Sequence, residues 1–260
     1  MSAVDFYGRP LGGTTKDEGS WNPQVGLKYR LLDWLTLKAN AAKYVRPPSF
    51  FELFGDRGVF IGNADLISEK GTNLDSGFEA SYRRPNSRLN NISLSAAYFH
   101  NSVDDMISRI YDARGVGQSV NISSSRIEGI ETTAKIEVLN HLRFIGNATW
   151  QDPIQKNEIE AFDGKILPGR FKQAFLGRIE VFHGPTKVYG EYVVEKHMFY
   201  DTANLLEAED KEEINLGASL KFCSFTLTLE AKNVGDDQYE DFNGYPMPGR
   251  TFYATLRYEF

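Results

Sequence analysis

The sequence predicts an all-β protein: an antiparallel transmembrane β-barrel meander with short periplasmic turns and long extracellular loops. Three observations predict it. Apolar and polar residues alternate with period two along almost the whole chain, and the connections between these segments are short and long in strict turn. The last segment, from Arg250 to Phe260, places Phe252, Ala254, Leu256, Tyr258 and Phe260 on one side of a strand. It places Tyr253, Thr255, Arg257 and Glu259 on the other, since successive strand side chains point to opposite faces. A terminal strand with one apolar and one charged face, ending on an aromatic, suits a closing barrel strand. Taken alone, that strand also fits the edge of a soluble sandwich.

The elements follow in order. Val25, Leu27 and Tyr29 alternate with Gly26, Lys28 and Arg30. Leu35, Leu37, Ala39 and Ala41 alternate with Thr36, Lys38 and Asn40. Phe78, Ala80 and Tyr82 oppose Glu79, Ser81 and Arg83. Ile92, Leu94, Ala96 and Tyr98 open a strand running to about residue 112. Ile130, Ala134, Ile136 and Val138 oppose Glu131, Thr133, Lys135 and Glu137, and Leu142, Phe144, Gly146, Ala148 and Trp150 come next. Phe171, Phe175, Ile179 and Val181 oppose Lys172, Arg178 and Glu180; Val188, Tyr192 and Val194 oppose Lys187, Glu191 and Glu195. Ile214 to Phe222 and Phe225 to Ala231 repeat the pattern. With the terminal strand these make about 11, or 12 if residues 1–20 add a partial strand rather than an outer loop.

Short turns are expected at 32–34, 85–91, 139–141, 183–186 and 222–224, and long connections at 46–75, 113–118, 152–169, 197–212 and 235–249. Every long connection then falls at one end, which an outer-membrane barrel requires and a sandwich does not. Composition agrees. No run approaches 18 apolar residues, and a mean hydropathy of −0.40 is what apolar-out, polar-in strands average to. The net charge of −6 argues against nucleic acid as a partner, which selects a basic footprint. Cys223 is the single cysteine, so neither an internal disulfide nor a cysteine zinc site is available. Lys, Arg and Glu recur on the polar faces. The lumen should therefore be wide and wet, or filled by a polar plug, as in barrels of about 22 strands.

Several segments in order resemble TonB-dependent outer-membrane receptors. Val45-Arg-Pro-Pro-Ser-Phe-Phe-Glu-Leu-Phe54 is similar to that family's FRAP…ELY segment. Asn63-Ala-Asp-Leu-Ile-Ser-Glu-Lys70, with Asn73 and Gly77-Phe-Glu79, resembles its NPDLxPE…GxE stretch, although Ala64 and Ser68 stand where the family has proline. Ser125 to Glu131 resembles its I.GVE strand, Leu167-Pro-Gly-Arg170 its proline before a strand, and Asn233 to Tyr239 its NLFDKxY. Tyr245-Pro-Met-Pro-Gly-Arg-Thr-Phe252 and Phe260 complete the series. The resemblance covers residues 21–260 and implies the C-terminal portion of a receptor barrel in the bacterial outer membrane, with about 11–12 strands present out of about 22. It implies energised uptake of a scarce nutrient of the ferric siderophore, cobalamin or haem class. The implied partners are TonB acting through a plug, the missing N-terminal barrel half, the barrel-assembly machinery, outer-membrane lipid and a metal-chelate or cobalamin-type ligand. No plug, TonB box or signal peptide has a counterpart in these residues, so a fragment, a processed piece or a split gene is expected. An isolated open half-barrel should then aggregate or pair through its edges.

Arg46, Asp56, Arg57 and Phe60 fall in the longest outer connection, where long loops are usually functional or disordered. An arginine among aromatics can hold an anionic chelate. Tyr239, Tyr245 and Arg250 stand in the last outer connection, where Pro246, Pro248 and Gly249 fit a ligand-facing loop or merely a rigid turn. Tyr258 and Phe260 resemble the terminal signal read by the assembly machinery, a strand-addition event. The acidic run Glu207 to Glu213 could bind a hard cation, but a solvated charge run is the simpler reading, and no metal site is expected. His100, His141, His183 and His197 are the only histidines, and none lies between Pro48 and Asn63, which weakens haem. No HExxH, GxSxG or phosphate loop occurs, so no catalytic residue and no cofactor are expected. A passive pore of about 12 strands and an outer-membrane hydrolase using His100 with Ser93 or Ser95 are the alternatives.

Overall fold

The computed structural model describes residues 19–56, 58, 60–84, 87–111, 116–157 and 159–259. Its elements are β1 (Gln24–Leu32), β2 (Leu35–Arg46), α1 (Phe50–Phe54), β3 (Phe60–Ile61), β4 (Glu69–Arg83), β5 (Leu89–Tyr111), β6 (Gly117–Val138) and β7 (Leu142–Asn157). There follow β8 (Gln173–His183), β9 (Thr186–Lys196), β10 (Lys211–Phe222), β11 (Phe225–Lys232), β12 (Glu240–Phe242), β13 (Tyr245–Pro246) and β14 (Thr251–Tyr258).

One 12-stranded sheet runs β1-β2-β4-β5-β6-β7-β8-β9-β10-β11-β14, with β3 attached to β6 off this path. All consecutive pairs along the path are antiparallel, so the expected meander is present strand for strand. The sheet is open: among the described residues β1 and β14 each pair on one side. The partial strand or loop expected at residues 1–20 falls almost wholly outside the described residues.

One face is apolar and exposed. Leu227, Leu229, Ile214, Ile179 and Phe175 all point to solvent, an arrangement that only lipid or another apolar partner satisfies over such an area. The other face is charged and paired across the strands. Arg143 of β7 bridges Glu137 of β6 at 2.9 Å and Glu180 of β8 at 3.0 Å. Arg178 lies 3.3 Å from Glu180 and 3.3 Å from Glu191 of β9. Asn215 of β10 donates to Glu191 at 3.1 Å and accepts from the Asn233 backbone at 2.9 Å. Tyr189 donates to Glu230 of β11, with the Arg178 guanidinium 3.6 Å over its ring. These charges are tolerated in a lumen wall because each of them finds a partner.

The strands outlast the membrane. β5 has 23 residues and β6 has 22, where crossing the hydrocarbon takes about 9–11. Along the apolar face Tyr98, Ile130 and Trp150 form the last apolar row, and His100, Glu128 and Asp152 follow one step outward. All the long connections but the last, which runs from 233 to 250, are correspondingly shorter than expected. β4 already begins at Glu69, β6 at Gly117, and β7 continues to Asn157. Above the membrane neither face meets lipid, so the period-two pattern fades while the ladder hydrogen bonds continue. Cys223 is exposed in the β10–β11 turn, where its φ is +51°.

Candidate mouth site

The connection after β2 is a compact folded block. Ser49 caps α1 through a reciprocal box: its hydroxyl accepts from the Glu52 N–H, and the Glu52 carboxylate accepts from the Ser49 N–H at 2.7 Å. Glu52 is also held by Arg46, whose Nη1 lies 3.2 Å away. Arg46 makes two further bonds of 2.6 Å each to the carboxylate of Glu69, its directly opposed neighbour on β4. Burial works against the Glu52 charge, but the Ser49 N–H and the Arg46 guanidinium outweigh it and hold the carboxyl below its ordinary range. Downstream, Asn63 donates to the Ser119 carbonyl at 2.9 Å and Leu66 is fully buried. Asn121 accepts from the Ile67 N–H at 3.0 Å and donates to the Ile67 carbonyl at 3.1 Å. The parallel pair β3–β6 completes the docking.

This block brings an aromatic pair against the outer end of the wall. Phe51 and Phe60 stack with centroids 4.5 Å apart. Arg109 of β5 lies 5.1 Å from the first ring and 5.5 Å from the second, within cation–π range. Beside it opens a cavity of about 540 Å³, lined among others by Tyr44, Asn73, Asn101, Arg109, Gln155 and Arg170. Glu69 also faces this cavity, but its charge is taken by Arg46. Arg109 and Arg170 have no carboxylate partner among the described residues. The cavity therefore carries an uncompensated positive field, with amide and phenol donors around it.

The expected site residues separate into groups. Arg46 is engaged by two carboxylates. The Asp56 carboxylate accepts from the Gly58 and Phe60 N–H groups at 2.7 and 3.0 Å, and these donors, Gly58 first, depress its pKa. Phe60 is buried against Phe51. Arg57 and Phe260 lie outside the described residues. Tyr239 is buried and donates to Glu213; burial and that carboxylate push its phenol up. Tyr245 projects from the β12–β13 hairpin, 71% exposed. Arg250 ties the last connection together through its N–H to Asp236 at 2.8 Å and its Nε to the Val234 carbonyl at 2.9 Å. Tyr258 packs on Phe225 at 4.9 Å on the apolar face. Arg109, Tyr44 and Asn101 carried no signal beyond being polar wall positions, whereas Asn73 and Arg170 stood in segments already noted.

The acidic run is dispersed rather than convergent. Glu207 faces His197 at 3.7 Å, Asp210 and Glu212 share Lys196 at 3.4 and 2.7 Å, and Glu213 accepts from Tyr239. Among the described residues no three such groups converge as a metal site.

The family model "TonB dependent receptor-like, beta-barrel" matches residues 2–234. The chain belongs to the TonB-dependent receptor β-barrel family. Curated relatives of this barrel include transferrin-binding protein A of Neisseria meningitidis serogroup B and of Neisseria gonorrhoeae. Each is 31% identical over 130 residues, which is 45% of this chain and 13% of the relative. Among solved structures, the copper transporter OprC matches with a TM-score of 0.74 at 18% identity, over 91% of this chain and 39% of that one. The ferric-catecholate import receptor Fiu of Escherichia coli K12 matches with 0.69 at 20% identity, over 100% of this chain and 40% of that one. The TonB-dependent barrel described here thus spans about two fifths of the solved receptors it matches and about an eighth of the curated relatives.

The loop after β9 offers a pH test. Asp201 accepts from the Ala203, Leu205 and Leu206 N–H groups at 2.7–3.1 Å. Burial opposes its charge, but these donors prevail and set its pKa below the ordinary 3.8. A depressed carboxylate stabilises the turn fully above pH 3.8 and releases it as pH falls through the lowered value. Amide exchange at Leu205 and Leu206 is expected to rise in that acid window in the native chain and to be already fast at neutral pH in Asp201→Asn. Equal exchange in the two chains at neutral pH would refute the role.

Proposed function

We propose that this barrel segment belongs to an outer-membrane receptor that imports a scarce nutrient of the ferric siderophore, cobalamin or haem class, energised by TonB through a plug. The observation that carries the reading is the mouth cavity, where Arg109 and Arg170 face an open volume without acidic partners among the described residues. Unpaired guanidiniums suit the carboxylate or catecholate oxygens of an anionic metal chelate. The Phe51–Phe60 stack lies behind Arg109 and holds its guanidinium by cation–π contact. Family membership supports the outer-membrane location and the TonB partner, and the terminal aromatic strand with Tyr258 and Phe260 supports delivery by the barrel-assembly machinery. Of the loop residues proposed for ligand contact, Arg46, Asp56, Phe60, Tyr239 and Arg250 have side chains held by their own loops, Tyr245 is the one most available for direct contact, and Arg57 lies outside the described residues.

A second reading has its own support. The relatives at 31% identity are named for binding transferrin, so iron held by a host protein is a candidate cargo. The deciding experiment is ligand binding by the full natural polypeptide that carries this segment, against ferric catecholate, ferric hydroxamate, cobalamin, haem and iron-loaded transferrin. Binding of one chelate that falls about tenfold or more in Arg109→Glu and Arg170→Glu is expected, from the loss of a charge-assisted contact. A chelate bound equally by native and variant proteins would sink the proposed site. Binding of transferrin alone would transfer the reading to the second cargo.

A further inference from the structure

Two tyrosines of the charged face lie over glycines of the next strand. Tyr44 of β2 stands directly opposite Gly71 of β4, and Tyr189 of β9 directly opposite Gly217 of β10. A Cβ on Gly71 would fall against Cε1 and Cζ of the Tyr44 ring, with the hydroxyl oxygen 2.6 Å away. A Cβ on Gly217 would meet the same atoms of Tyr189, with the hydroxyl oxygen at 2.8 Å. Each ring therefore covers its glycine. The missing side chain lets it lie down on the wall instead of standing out into the lumen.

The two rings differ in what covers them. Tyr189 is buried: the Arg178 guanidinium sits 3.6 Å over its ring, and its hydroxyl donates to Glu230. Tyr44 has no ring contact and no partner for its hydroxyl among the described residues. It lines the mouth cavity together with Arg109 and Arg170. Asn73 and Asn101, the next luminal pair below Gly71, line it too. At Tyr189 the chain itself supplies a flat group to the open face of such a ring. At Tyr44 the same face is left to the cavity.

We propose that Tyr44, seated on Gly71, sets the specificity of the mouth cavity by selecting chelates whose anionic oxygens are carried on flat aromatic rings. The inference rests on the reading of that cavity as a site for an anionic metal chelate. Charge alone does not separate one polyanionic chelate from another, because Arg109 and Arg170 attract them all. The open face of Tyr44 adds stacking, which only a ring can use. Ring face and guanidiniums line one cavity, so a group that joins ring and anionic oxygen satisfies both. Gly71 is a positioning residue: it acts on the ligand only through the attitude of the Tyr44 ring. Alanine there tips the ring off the wall and into the volume that the ligand needs.

The test measures binding of two ferric complexes by the full natural polypeptide that carries this segment. One is a tripodal tris-catecholate and the other the tris-oxalate, which has the same threefold negative charge and no ring. The native protein should bind the tris-catecholate about fivefold more tightly, the scale of one aromatic pair. Tyr44→Leu should remove that ratio, and Tyr44→Phe, which keeps the ring, should restore it. Gly71→Ala should weaken both complexes, and adding Tyr44→Leu to it should recover oxalate binding by removing the tipped ring. The native ratio needs no variant, so a misfolded variant cannot mask the outcome. Equal native affinities, both lowered by Arg109→Glu, would overturn the proposal and leave the anionic site standing. Failure of the native protein to bind either complex would remove the site and the proposal together. A ratio that survives Tyr44→Leu would also overturn it.

Discussion

Replacing Arg46 by Ala is expected to free the block spanning residues 47–68 from the wall, at a cost of about 2 kcal/mol. The guanidinium serves two carboxylates at once, Glu69 on its own face of the sheet and Glu52 at the start of α1. Both acids keep only about a tenth of their side-chain surface, 11% for Glu52 and 10% for Glu69. Without the cation, two poorly solvated negative charges face each other. Breaking a fully buried pair costs about 3–5 kcal/mol, and the 39% exposure of Arg46 scales this down. Arg46→Lys keeps the charge but cannot reach both acids with one planar fork, so it should recover about half of the loss. Limited proteolysis between residues 47 and 68 reads the result directly. Cleavage as slow in Arg46→Ala as in the native chain would show that the ion triad does not hold the block.

Gly55→Ala should have a larger effect, about 4 kcal/mol, from two additive causes. Gly55 ends α1 with φ +70° and ψ −169°, a region that residues with a Cβ rarely enter. A Cβ there would also stand 2.2 Å from the Phe60 carbonyl oxygen and 2.7 Å from the Gly62 nitrogen. Both contacts are backbone, so no side chain can swing aside. Relief requires moving Phe60 off Phe51, which removes the stack that Arg109 covers. Chelate binding should therefore fall with stability, although Gly55 touches no cavity. Gly164 supplies the control: its φ is +69°, yet nothing lies within 4 Å of an added Cβ. Gly164→Ala should lose about 1 kcal/mol, the strain alone. Thermal shifts of equal size in the two variants would refute the steric account.

The eleven strands of the meander and their order were readable because, within the membrane, each strand has one face in lipid and one in the lumen. Leu227 and Leu229 against Thr228 and Glu230 is that contrast in its plainest form. In the outer half of β6, Gly117 to Ile127, the connection at 113–118 and the strand-like Ser125 to Glu131 were readable, but which residues face which side was not. Its residues are Gly-Gln-Ser-Val-Asn-Ile-Ser-Ser-Ser-Arg-Ile, with no lipid on either side and the block after β2 docked on Ser119 and Asn121, so alternation has no single cause. α1 and β3 were hidden for a related reason. A helix of five residues and a strand of two carry too little local preference to stand out, and they form because the Arg46 triad and Asn121 hold them.

The candidate site was the least legible part. By sequence, Arg46, Arg109 and Arg170 are equivalent: arginines near the outer ends of strands. Register makes them different. Arg46 falls directly opposite Glu69, 23 positions later in the chain, and is neutralised. Arg109 comes after the irregularity at Val103–Ile107, opposite Ser119, and keeps its charge. What the sequence by itself determined is the architecture: strand number, strand order, which face meets lipid, and the family. These follow from local periodicity and from turn chemistry, which neighbouring residues encode. What only the tertiary structure decided is which charges remain available to a ligand. Whether a charged group is free depends on what stands across from it on the next strand, and that partner is set by pairing register over long separations.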